Sequence, residues 1–215
     1  MSDKMKIGVD EAGRGSVIGP LVVCSFASIS QTELLDLGVK DSKDLSKKKR
    51  EELYHTLVEM PHNVIICDPK RIDIAPNLNQ LEVELFAESL KVMPDGDIML
   101  DACDVDAGRF ARNVSALSKR DCNAEHKADE NHPEVSAASI IAKVTRDNCV
   151  KKLSQELNMD LGSGYPSDPK TKEAVKILSI GDYPHECLRW SWKTVTDARG
   201  NPAPPRPGGP QQTLF

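Results

Sequence analysis

No stretch of this chain is apolar for long enough to cross a bilayer, so a helical membrane anchor within it is excluded. It opens on Met-Ser-Asp-Lys-Met, which lacks the pattern of a secretory leader, and Met1 or Met5 could each serve as the start. The six cysteines, Cys24, Cys67, Cys103, Cys122, Cys149 and Cys187, include no Cys-x-x-Cys pair, which argues against a structural zinc site. They are also too dispersed for a disulfide framework, so reduced core thiols and a cytoplasmic protein are expected. Positive charge is not in excess: 28 Lys and Arg stand against 33 Asp and Glu, a net charge of −5. That excludes a protein that coats nucleic acid by bulk attraction, but not a local basic groove beside an acidic site. No linear Ca²⁺-loop spacing occurs either.

What is present is ample material for a core. Of 215 residues 39% are hydrophobic and 28% charged, enough for one sizeable α/β domain with a short appendage. Strand-like and helix-like segments alternate after an antiparallel start. Strands are expected at 21–29, 64–67, 98–100 and near 122–126. Helices are expected from the Ser46 N-cap to about Met60, over 78–92, after an Asp106 cap, over 134–157, from Asp168-Pro169 and over 186–196. Pro69 and Pro76 bracket a segment read as irregular. Residues 199–210 hold five prolines and three glycines, a linker composition. The expected division is therefore a catalytic domain over 1–196 and a flexible tail over 197–215.

The chemistry concentrates in residues 6–20. Apolar Ile7 and Val9 lead into adjacent carboxylates, Asp10 and Glu11, and then into Gly13-Arg14-Gly15. A β-rich stretch broken by acids, a cation and glycines reads as a hairpin carrying a site. Neighbouring strand residues face opposite ways, so both acids serve one ion only if one of them sits at a bend. Glycines around one arginine suit backbone N–H groups offered to a phosphate or sugar. Asp101 ends the apolar strand Ile98-Met99-Leu100, where an α/β sheet presents its chemistry. With Asp129 there are four acids at element ends and no Cys/His ligand set, a donor set suited to hard divalent cations.

Six segments together resemble ribonuclease HII of the archaeal branch: Asp-Glu-Ala-Gly-Arg-Gly at 10–15, Asp-Ser-Lys at 41–43, Asp-Ala at 101–102, Glu-His-Lys-Ala-Asp at 125–129, the run from Ser136 to Asp147, and Gly-Ser-Gly-Tyr-Pro-Ser-Asp-Pro at 162–169. The resemblance implies an RNase H-like α/β fold, a mixed five-stranded sheet flanked by helices with a helical C-terminal part. It implies a metal-dependent endoribonuclease that cuts the RNA strand of RNA–DNA hybrids, and duplex DNA 5′ of embedded ribonucleotides, leaving 3′-hydroxyl and 5′-phosphate ends. Asp10, Glu11, Asp101 and Asp129 would hold Mg²⁺ or Mn²⁺. Gly13, Arg14 and Gly15 would read the 2′-hydroxyl, and Tyr165 would pack on the deoxyribose on the 3′ side.

Ser42 and Lys43 would meet backbone phosphate, and Ser139, Lys143 and Arg146 share one helix face that could turn to substrate. At the C-terminus, Gln211 and Leu214 match the first half of a sliding-clamp box, with Phe215 directly after and the usual aromatic pair absent. A monomer is expected. The sister enzyme ribonuclease HIII usually adds an N-terminal domain that this sequence lacks. A non-catalytic hybrid-binding module tethered to a clamp is the rival from another class, and the presence of all four acids speaks against it.

Overall fold

Seven residues from Lys6 to Ala12 form the strand about which the sheet is built. In the computed structural model, which describes residues 4–40, 42 and 45–207, this strand β1 (Lys6–Ala12) has antiparallel β2 (Leu21–Ser28) on one side. On the other side lies parallel β4 (Asp97–Asp101), followed by parallel β5 (Cys122–Glu125). With β3 (His62–Cys67) at the far edge the order is β3-β2-β1-β4-β5, the mixed five-stranded sheet implied above. All eight residues of β2 are buried, as suits a central strand covered on both faces.

Local chemistry starts most of the helices. They are α1 (Gln31–Asp36), α2 (Lys47–Leu57), α3 (Pro69–Ile74), α4 (Leu78–Ser89), α5 (Ala107–Ser118), α6 (Ala128–Asn131), α7 (Pro133–Glu156), α8 (Pro169–Leu178) and α9 (Lys193–Arg199). Ser46, Asp106 and Asp168 cap α2, α5 and α8, each side chain accepting a hydrogen bond from a backbone N–H of the first turn.

Three expectations need correction. The Pro69–Pro76 segment is not irregular throughout: Asp68 caps α3, with Pro69 at its first position, where a missing N–H costs nothing. Between the expected strand near 122–126 and the long helix lies α6, a single turn too short to show periodicity. The last helix starts at Lys193 rather than near 186, so Trp190 precedes it and Trp192 is its N-cap residue. The expected boundary at 197 falls inside α9.

The described chain divides into two compact units. The first takes the chain up to Ala12, Val22–Ile66 and Asn79–Thr145; the second takes Gly13–Leu21, Cys67–Leu78 and the chain from Arg146. The first unit has a core in which Val22, Cys24 and Phe26 of β2 meet Leu53 and Leu57 of α2 and the alanine-rich start of α7. In the second, Val17 and Ile18 pack with Val150, Leu161, Val175, Leu188 and Val195. The six cysteines are free thiols. Among the described residues no helix is long and apolar enough to cross a membrane.

One contact in the first unit decides where the site lies. A Cβ added at Gly8 would stand 2.3 Å from the backbone of Glu134 and Val135. Only glycine lets the start of α7 lie directly on β1. The chain entering α7 is α6, and α6 carries Asp129.

Candidate active site

Parallel pairing of β1 with β4 sets Val9 level with Leu100, so the next residues along are Asp10, inside β1, and Asp101, the last residue of β4. Asp101 Oδ1 accepts the backbone N–H of Ala128 at 2.9 Å, which ties the β4 terminus to α6 and to Asp129 beside it. Asp10 and Asp129 are both buried, at 5% and 1% exposure. Glu11 reaches the same region from the next position, its N–H donating 2.6 Å to Asp10 Oδ1. Thus Asp10, Glu11 and Asp101 act on one another directly, and the Ala128 bond ties the segment that carries Asp129 to Asp101.

The electrostatics follow from that crowding. Burial raises the Asp10 carboxyl well above the ordinary carboxylate range, and the charges of Asp101 and Glu11 raise it further. Hydrogen bonds from Ser139 and from the Glu11 N–H act in the opposite direction and do not offset the burial. Like charges converging in a buried place leave a demand for a cation. The donors are carboxylate oxygens, so a hard divalent cation fits them better than zinc.

Two further groups adjoin the acids. Glu82 of α4 is fully buried, and its carboxylate, that of Glu11 and the Cys103 thiol all lie within 4.8 Å of one another. Burial, then Glu82, Glu11, Asp10 and Asp101 in turn, hold the Cys103 thiol well above its usual range. It is therefore protonated at neutral pH and a poor ligand for a hard cation. Glu82 has a signal in the sequence after all: it falls three and four residues before Leu85 and Phe86, an acid on the apolar stripe of α4.

The other expected residues divide by place. Ser42 and Ser139 are buried and joined Oγ to Oγ at 3.0 Å, and Ser139 bonds Asp10, so these hydroxyls brace a carboxylate. Arg50 donates to the carbonyls of Ser42 (2.6 Å) and Leu45. Lys143 is half-buried on α7. Lys43, Gln211, Leu214 and Phe215 lie outside the described residues. Asp104 is buried and held by Arg109, whose hydrogen bond keeps its carboxyl below the usual range.

Gly13, Arg14, Gly15, Arg146 and Tyr165 belong to the second unit. Gly13 has φ +98° and a Cβ there would meet the Pro20 carbonyl at 2.8 Å, so the turn after β1 requires glycine. Gly15 is exposed, and nothing lies within 4 Å of where its Cβ would stand. Arg146 is 1% exposed, and its guanidinium sits 4.5 Å from the centre of the Tyr165 ring. At the C-terminal face of α7, then, the stripe turns inward: Arg146 supports Tyr165 and does not stand free on the surface.

A mixed sheet with carboxylates gathered at its strand ends defines a metal-dependent nuclease of the RNase H-like class. The comparisons narrow it. The ribonuclease HII family model matches residues 7–195. A ribonuclease HII of Pyrobaculum arsenaticum is 45% identical over 193 residues, 87% of this chain and 94% of that protein. That of Pyrococcus horikoshii is 46% identical over 205 residues, 89% and 91% of the two chains. The crystal structure of ribonuclease H2 from Pyrococcus horikoshii superposes with a TM-score of 0.82 at 42% identity, covering 91% of this chain and 97% of that one. The ribonuclease HII in a complex with PCNA from Archaeoglobus fulgidus gives 0.80 at 40% identity over 88% and 95%. A ribonuclease HIII solved with Mn²⁺, at 23% identity, shares the fold. The chain belongs to the ribonuclease HII family.

Proposed function

We propose that this ribonuclease HII cuts the RNA strand of RNA–DNA hybrids, and duplex DNA on the 5′ side of a single embedded ribonucleotide, leaving 3′-hydroxyl and 5′-phosphate ends. Asp10, Glu11, Asp101 and Asp129 are the catalytic carboxylates in this proposal. Two divalent cations bound by them, Mg²⁺ or Mn²⁺, would supply an activated water and neutralise charge on the leaving oxygen. The observation that carries this is the burial of Asp10 between the like charges of Asp101 on the adjacent strand and Glu11 next to it on its own.

The chain's own residues have distinct tasks. Ser139, backed by Ser42, orients Asp10. Arg14 and the backbone around it read the 2′-hydroxyl, the group that separates ribose from deoxyribose. Only Ala12 separates Glu11 from Gly13 in the chain, so sugar reading directly follows the acids in sequence. Tyr165, steadied by Arg146, packs on the neighbouring deoxyribose. Lys43 and Lys143 approach phosphates. A sliding clamp is the proposed protein partner, through Gln211, Leu214 and Phe215, and the PCNA-bound relative supports that assignment.

The test uses duplex DNA holding one ribonucleotide, incubated with and without Mg²⁺. One cut 5′ of the ribonucleotide, only with the ion, is expected, and Asp101→Asn abolishes it while duplex affinity persists. Cleavage that persists unchanged in Asp101→Asn removes the assignment.

A further inference from the structure

Arg189 lies in the segment before α9, and its side chain is fully buried. All the partners described here belong to the second unit. Its Nη2 donates to the Gly13 carbonyl (2.6 Å) and to Ser16 Oγ (2.8 Å). Its Nη1 donates to the Arg14 carbonyl at 2.7 Å and its Nε to the Gly19 carbonyl at 3.3 Å. Ser16 closes the figure, donating from N (3.2 Å) and Oγ (3.0 Å) to the same Gly13 carbonyl. The backbone is fixed alongside, with Arg189 N donating to Val17 O at 2.9 Å and Gly19 N to Cys187 O at 2.9 Å.

A buried guanidinium is costly unless its donors are met, and here one loop accepts four of its hydrogen bonds on carbonyl and hydroxyl oxygens. The consequence for that loop is directional. Among the described residues every peptide bond is trans, and in a trans peptide the C=O and the following N–H point opposite ways. Drawing the carbonyls of Gly13 and Arg14 onto Arg189 therefore turns the N–H groups of Arg14 and Gly15 away from it. Gly15 is exposed, with open space over it.

We propose that Arg189 is a positioning residue for ribonucleotide recognition: it holds the Gly13–Gly19 loop so that two successive N–H donors and the Arg14 side chain are presented to the sugar. This rests on the assignment of sugar reading to Gly13-Arg14-Gly15. Its planar fork reaches three carbonyls at once, and a lysine ammonium, a single point, cannot.

Arg189→Lys and Ser16→Ala separate this role from a merely structural one. Each variant is first shown to be folded at the assay temperature. Affinity is then measured without divalent ion for a duplex with one ribonucleotide and for the same duplex in DNA only. The preference for the ribonucleotide falls about tenfold in Arg189→Lys, which disrupts the whole fork, and about threefold in Ser16→Ala, which removes one bond from the guanidinium and one to the Gly13 carbonyl. In kcat/KM, Arg189→Lys adds less than about twofold once Arg14→Ala is present, since both act through one loop. The Mg²⁺ midpoint for cleavage stays at the wild-type value. An unchanged preference in folded Arg189→Lys, or penalties that multiply independently of Arg14→Ala, overturns the inference. Should Arg189→Lys not fold, an unchanged preference in Ser16→Ala does the same. Absence of any preference in the wild-type protein would instead remove the assignment of sugar reading itself.

Discussion

Gly15 and Gly13 look alike in sequence and differ in what holds them as glycine. At Gly15 a methyl group would meet no protein atom, so the fold itself does not forbid alanine. Gly15→Ala should unfold within about 0.5 kcal/mol of wild type, as surface substitutions do. If a sugar approaches that backbone, kcat/KM on a single-ribonucleotide duplex should nevertheless fall about a hundredfold, the scale for displacing a bound group by an ångström. Gly13→Ala should lose both properties. Its φ of +98° and the Pro20 carbonyl at 2.8 Å penalise any side chain, at about 1–3 kcal/mol. Denaturant unfolding beside steady-state kinetics on the two variants separates the cases. Equal stability losses in both would contradict the open space at Gly15.

At the scale of elements, α7 meets β1 through Gly8. Alanine there would drive a methyl into the backbone of Glu134 and Val135, which yields only if α7 lifts from β1. Gly8→Ala should cost at least about 1–3 kcal/mol, the range for overpacking. It should also weaken cation binding, because α6 and Asp129 precede α7 directly. Urea unfolding and a Mn²⁺ titration of the same sample check both parts; a destabilised variant with wild-type cation affinity would uncouple the helix from the site. The same contact shows what the sequence makes legible. The Ser46, Asp106 and Asp168 caps are readable because donor, acceptor and apolar spacing lie within a few residues. The placement of Asp101 at an apolar strand end is readable for the same reason, whereas Asp10 lies inside β1 rather than at its end. Gly8 is visible as a glycine in a strand, but what crosses it is 126 residues away, which no local pattern specifies. Arg189 escapes likewise, since it acts on a segment remote in sequence, and Glu82, though marked as an acid on an apolar stripe, gives no local sign of its partners Glu11 and Cys103. The Pro69 segment is misjudged for another reason: proline breaks a helix inside it and suits one at its first turn, and only the Asp68 cap distinguishes the two.

For the whole molecule the acids are a liability that a cation removes. The Asp10 carboxyl is raised in the fold, so between its unfolded and folded pKa the native chain holds a proton that the unfolded chain has lost. Stability from this source is complete at low pH and is lost as pH rises through that window. A divalent cation must displace the same proton, so its affinity climbs as pH rises there. At a cation concentration a hundred times the dissociation constant the gain is about 2.7 kcal/mol, or about 5–10 °C in melting temperature for a chain of this size. The increment from Mg²⁺ or Mn²⁺ should therefore grow with pH. Asp10→Asn keeps an oxygen able to accept from Ser139 and the Glu11 N–H while removing one of the crowded charges. It should melt above wild type in chelator, respond little to added cation and cut nothing. A melting temperature below wild type in chelator would mean that the repulsion around Asp10 is already compensated within the protein, and the case for a resident cation would lose its physical basis.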